Sequence, residues 1–104
     1  MRRFAASAFG LTLVGLISAL PSHVAAYTGE KLAKGAKVGI EQARTIALQA
    51  RSGAITGEEL ENEKGGSGLR YSFVIKNDGV SYEVGVDAQT GTVLENKKEG
   101  PNPD

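Results

Sequence analysis

The chain has 104 residues, with twelve Lys+Arg against twelve Asp+Glu, one histidine and neither cysteine nor tryptophan. Removing the first 26 residues as an export signal leaves 78, with ten basic and twelve acidic side chains and a net charge of −2. That is one small domain, too short for a doubly wound or barrel enzyme and without the basic footprint that nucleic acid needs. The only histidine, His23, leaves with the signal, so thiolate nucleophiles, Cys/His zinc sites and His-dependent acid-base mechanisms are excluded together.

The signal itself is read from Arg2 and Arg3, followed by an apolar run over residues 4–20 that Pro21 breaks. Val24 and Ala26 place small side chains three and one positions before a cut that leaves Tyr27 first. Retention as an uncleaved anchor is the alternative, since seventeen apolar-rich residues sit at the lower edge of a bilayer span. Residues 27–37 mix Gly29 and Gly35 with Lys31, Lys34 and Lys37, which predicts a solvated lead-in with at most one loose helical turn.

From residue 40 the pattern changes. Ile40, Ala43, Ile46, Ala47 and Ala50 recur at helical spacing opposite Glu41, Gln42, Arg44, Gln49 and Arg51, which predicts one amphipathic helix over residues 40–50. Gly39 is its expected N-cap, Gln42 is expected to reach back to the cap N–H, and Gly53 is expected to end the helix in the left-handed region. The alanines let the helix lie close to what it covers.

A strand is expected over residues 55–63, with Leu60 pointing inward opposite Phe73 and a bulge near Gly57 to reconcile the phase of Ile55. Gly65, Gly66, Ser67 and Gly68 are read as a flexible connection. Two strands then face each other across Asp78 and Gly79, a primed hairpin turn. That turn opposes Ile75 to Tyr82, Phe73 to Val84, Tyr71 to Val86 and, on the other face, Arg70 to Asp87. Asp87, Thr90 and Gly91 form a tight turn, Val93 and Leu94 open the last strand, and residues 96–104 are expected to fray.

These residues resemble the PepSY domain family. The helix Ile40, Ala43, Ile46, Ala47 and Leu48 is similar to the family's opening, the strand from Leu69 to Ile75 to its Tyr-bearing central strand, and Val86-Asp87-Ala88-Gln89-Thr90-Gly91-Thr92-Val93 to its signature. The resemblance covers residues 38–98 and implies an α+β fold, one amphipathic helix packed on a three- to four-stranded antiparallel sheet. The expected organisation is signal peptide 1–26, lead-in 27–37, PepSY-like domain 38–98 and tail 99–104. With no protease following Asp104, the resemblance points to a free-standing secreted member that acts in trans.

No residue combination suggests catalysis. Asp87 and Thr90 lack a base, and Ser67, Ser72 and Ser81 lack one too unless Lys76 serves Ser81 across the hairpin. No cofactor and no metal are expected. The expected function is a non-catalytic binding module of PepSY type, periplasmic or secreted, that binds or restrains an envelope or extracellular peptidase. Its candidate contact surface is the sheet face away from the helix, carrying Arg70, Ser72, Val74, Glu83 and Gly85, with edge-strand addition as the other route. A second reading takes the acidic strand, Glu58, Glu59, Glu61 and Glu63, as the seat of a metal- or ligand-responsive envelope protein. Carboxylates alternating along a strand do not by themselves converge as a hard cation requires.

Overall fold

A computed structural model describes residues 26–100. The proposed signal, apart from Ala26, and tail residues 101–104 lie outside the described residues. The elements run in order from a 3-10 helix (Glu30–Gly35) to helix α1 (Ile40–Ala50) and strands β1 (Ala54–Asn62), β2 (Leu69–Asn77), β3 (Val80–Asp87) and β4 (Val93–Lys98). The strands form one antiparallel meander in the order β1-β2-β3-β4, with α1 on one face. The expected α+β architecture is thus present, with four strands.

The β2–β3 register is the one the hairpin dictates. Ile75 faces Tyr82, Phe73 faces Val84, Tyr71 faces Val86 and Arg70 faces Asp87. Asp78 (φ 51°) and Gly79 (φ 76°) both take left-handed backbone, as a two-residue primed turn requires. Apolar residues from this face and from α1 make the core: Ala43 and Ala47 of the helix are fully buried against Leu60, Tyr71, Phe73, Ile75, Val84 and Val86. The small alanine side chains let α1 approach the sheet closely, leaving the larger sheet residues to fill the volume.

In β1 the register slips between Ile55 and Gly57, so Ile55 and Leu60 both serve the inner face despite their odd spacing. Leu60 is buried but lies opposite Tyr71, two residues from the expected Phe73, which instead faces Glu58. Both registers point Leu60 inward. The loop closed by the Glu63 N–H to the Gly68 carbonyl selects between them.

The helix ends differ from expectation. Gly39 precedes α1 in extended backbone, but no side chain caps it, and Gln42 does not close a capping box. At the other end the cap is Arg51, in extended backbone, and Gly53 takes its positive φ, 145°, two residues further on rather than at the helix end. The freed Ala50 carbonyl accepts the Asn96 side-chain amide at 3.2 Å, so a strand residue does the capping.

Two segments expected to be loose are built into the fold. Residues 27–37 carry the expected helical turn as the 3-10 helix, with none of its residues fully buried, but they are tied to the sheet: Thr28 bridges to Glu59 in parallel, its carbonyl accepting the Leu60 N–H at 2.8 Å. Tyr27, Leu32, Ala33 and Ala36 pack against the core. The Val38 and Lys37 N–H groups both donate to the Ala88 carbonyl, tying the entrance of α1 to the β3–β4 turn. Asn96, Lys97 and Lys98, assigned to a frayed tail, instead pair with Val84, Glu83 and Tyr82 as β4. Their polarity suits an edge strand, whose ladder bonds do not depend on apolar side chains.

Candidate functional site

The alternation of the strands puts one set of side chains under α1 and the other on a face that, among the described residues, no helix covers. This open face is concave, about 670 Å³ in volume, and is lined by carboxylates from three strands, Glu59, Glu61 and Glu63 of β1 and its end, Glu83 of β3 and Glu95 of β4. Val74 is the apolar residue on it, half-buried between them.

Of the five residues expected to form a contact surface, Ser72, Val74 and Glu83 are partly accessible on this face. Arg70 and Gly85 are buried. Arg70 is only 7% exposed. Its guanidinium lies 3.3 Å from Glu95 and 3.5 Å from Glu63, and it donates to the Lys64 carbonyl at 3.1 Å. Gly85 makes this possible, because a Cβ there would meet Arg70 Cδ at 3.1 Å and Glu95 Cβ at 3.3 Å. The register places Arg70 on the outer face, but a missing side chain beneath it lets the arginine lie down and join β1, β2 and β4 electrostatically.

The acidic strand is divided among separate partners. Glu58 turns under α1, where Arg44 grips it through both Nε and Nη2, the latter at 2.9 Å. Its carboxylate hydrogen bond holds the Arg44 pKa above the usual arginine value. Ser72 donates to Glu61 at 2.8 Å, and Glu63 faces Arg70. Among the described residues no three acidic, histidine or cysteine side chains gather as a metal site.

A densely hydrogen-bonded polar cluster lies at the end of the sheet. Asp87, 1% exposed, accepts four hydrogen bonds: the Ser67 N–H at 2.6 Å, the Ser67 hydroxyl at 2.8 Å, the Gln89 N–H at 2.8 Å and the Thr90 N–H at 3.2 Å. Burial pushes its pKa up, but the donors from Ser67, Gln89 and Thr90 outweigh that and hold it at about 2. The turn role expected of Asp87 is therefore observed, and the grip on Ser67 adds to it. The glycine-rich connection read as flexible is anchored by this carboxylate. Nothing in the periodicity signals such a tie, although an aspartate opposite a serine-bearing loop across two strands is its necessary ingredient. The Gln89 and Thr90 contacts close the β3–β4 turn, and the two Ser67 contacts hold the β1–β2 loop against it.

Family comparison settles what the fold alone leaves open. A family model described as "Peptidase propeptide and YPEB domain", PepSY, matches residues 37–97, more than half of the chain. The chain belongs to the PepSY family. No curated protein and no solved structure gives a significant match. The PepSY match begins at the turn that enters α1 and ends within β4, so it takes in the Asp87 cluster and most of the open face. PepSY domains are regulatory modules of the propeptide kind, associated with peptidases. Among the described residues of this PepSY domain no helix is long and apolar enough to cross a membrane.

Proposed function

We propose that this chain is an exported, non-catalytic PepSY module that acts outside the cytoplasm by binding a peptidase in trans through the open face of its sheet. The observation that carries this reading is the uncovered concave face itself. A four-stranded sheet with one face closed by α1 presents Val74 as an apolar centre within a ring of polar and acidic groups. An apolar centre with a polar rim is the composition of a protein-binding patch. The family's description as a peptidase propeptide domain supports a peptidase as the class of partner.

The test uses envelope and culture fractions of the producing cells, probed for peptidase activity with the chain and with Val74→Lys. The chain lowers the activity and retains the peptidase on an affinity support, while Val74→Lys, folded by its thermal melt, does neither. Equal behaviour of the two proteins, or no effect of either, overturns the reading.

A further inference from the structure

The two edges of the sheet are not equivalent. The β1 edge is partly closed by Thr28, which bridges to Glu59 and accepts the Leu60 N–H. Among the described residues β4 has a neighbour on one side only. The Glu99 N–H donates to the Ser81 carbonyl, so alternation along an antiparallel ladder makes Glu83 with Lys97 the next bonded pair. Asn96 and Lys98, opposite Val84 and Tyr82, therefore turn their backbone N–H and C=O groups outward.

We propose that this outward edge pairs with β4 of a second copy of the chain, antiparallel and centred on Asn96, joining two sheets into one of eight strands. The choice of partner comes from the sequence of the edge. About a two-fold axis at Asn96, the two Asn96 residues exchange backbone bonds, Glu95 falls opposite Lys97 of the second copy, and Lys97 opposite its Glu95. Both unlike pairs occupy non-hydrogen-bonded positions, where cross-strand side chains are closest. The other in-phase centres along this stretch, Glu95, Lys97 and Lys98, would each set two like charges directly against each other. Lys97 is well exposed and already lies 3.1 Å from Glu95 of its own strand, so the pairing extends an existing arrangement across the axis. Asn96 is held by Ala50 and Arg51 at the end of α1, which fixes the edge residue before any partner arrives. Both helices then lie on the same side of the joined sheet, and both open faces on the other. A pairing of two short strands is small, so the association is weak and concentration-dependent. It stands independently of the peptidase reading.

Sedimentation velocity of the chain purified from its producing cells, over about two decades of concentration, reads this directly. The expected result is a reversible monomer–dimer equilibrium that Lys97→Glu weakens about tenfold or more, since two attractions become two repulsions. Lys97→Glu also loses the contact to Glu95 of its own strand, so both proteins are compared well below the thermal melt of each. The chain has no cysteine, so a spin label on Lys98→Cys reports only the intended site. Lys98 lies opposite Leu94 in this register, which sets the two labelled backbones about 14 Å apart. A monomer at every concentration overturns the proposal. So does a dimer indifferent to Lys97→Glu, or one with the labels far beyond that spacing.

Discussion

Ser67 donates both its backbone N–H and its hydroxyl to the two carboxylate oxygens of Asp87, at 2.6 and 2.8 Å. The contact joins the β1–β2 loop to the end of β3, two segments that no ladder bond connects, and it is made to a fully buried ion. An ion buried in this way persists only because its acceptor sites are filled by donors.

Acid should therefore weaken the fold through Asp87. Its folded pKa, about 2, lies below the ordinary aspartate value of 3.8. The stability it contributes is complete above the unfolded value and is lost as pH falls from about 4 towards 2. Urea unfolding across this range should show the loss, and Asp87→Asn should flatten it while costing about 1–3 kcal/mol at neutral pH, where an amide N–H₂ would confront donor groups. A parallel decline in both proteins would assign the acid sensitivity elsewhere.

The opposite limb is set by Tyr71, whose hydroxyl donates to the buried Val38 carbonyl at 2.7 Å. Burial first, and the neighbouring Tyr27 second, push its pKa up to about 12. A group raised in this way stabilises the fold fully below its unfolded value, near 10, and loses that contribution as pH climbs towards 12. Tyr71→Phe should remove this alkaline dependence and cost about 1–2 kcal/mol at pH 7, read by chemical denaturation.

Phe73 and Val74 separate the two faces. Phe73 has no exposed surface, so Phe73→Ala should cost about 3–5 kcal/mol and leave the domain largely unfolded at 37 °C. Val74→Ser, on the open face, should stay within about 1 kcal/mol of the parent. Thermal melts that reverse this order would contradict the register.

Gly85 and Arg70 should behave as a coupled pair. Gly85→Ala forces a Cβ against Arg70 Cδ and should cost about 1–3 kcal/mol by overpacking. In the background of Arg70→Ala that obstacle is gone, so the glycine substitution should cost much less there. Additive costs in a double-mutant cycle would show that the arginine moves aside freely.

Much of the fold is legible in the residues, for identifiable reasons. The β2–β3 pairing follows from a two-residue turn, Asp78-Gly79, whose backbone demands admit one register, and the helix follows from alanine and isoleucine at helical spacing. Leu60 shows the limit of such reading. A strand period of two fixes which face a side chain takes but leaves its partner free by steps of two, so Phe73 and Tyr71 are equally acceptable until the loop geometry chooses. The sequence signal also fails where polarity is taken for disorder. Asn96, Lys97 and Lys98 are strand residues because an edge needs backbone partners more than apolar ones, and Tyr27 to Ala36 fold back because Thr28 finds the opposite edge. On the candidate site, alternation places Arg70 on the outer face correctly, but its burial depends on the vacancy at Gly85, a three-strand relationship that pattern reading does not reach.

The meander order has a consequence for the speed of folding. Every strand pairs with its neighbour in the chain, and the β2–β3 connection is two residues long, so ladder contacts close short loops and carry little entropic delay. Proline occurs only at positions 21, 101 and 103, all outside the described residues. No native peptide isomer within residues 26–100 has to be awaited, and refolding is expected in a single phase, on the order of milliseconds, without the slow component that proline-bearing domains show.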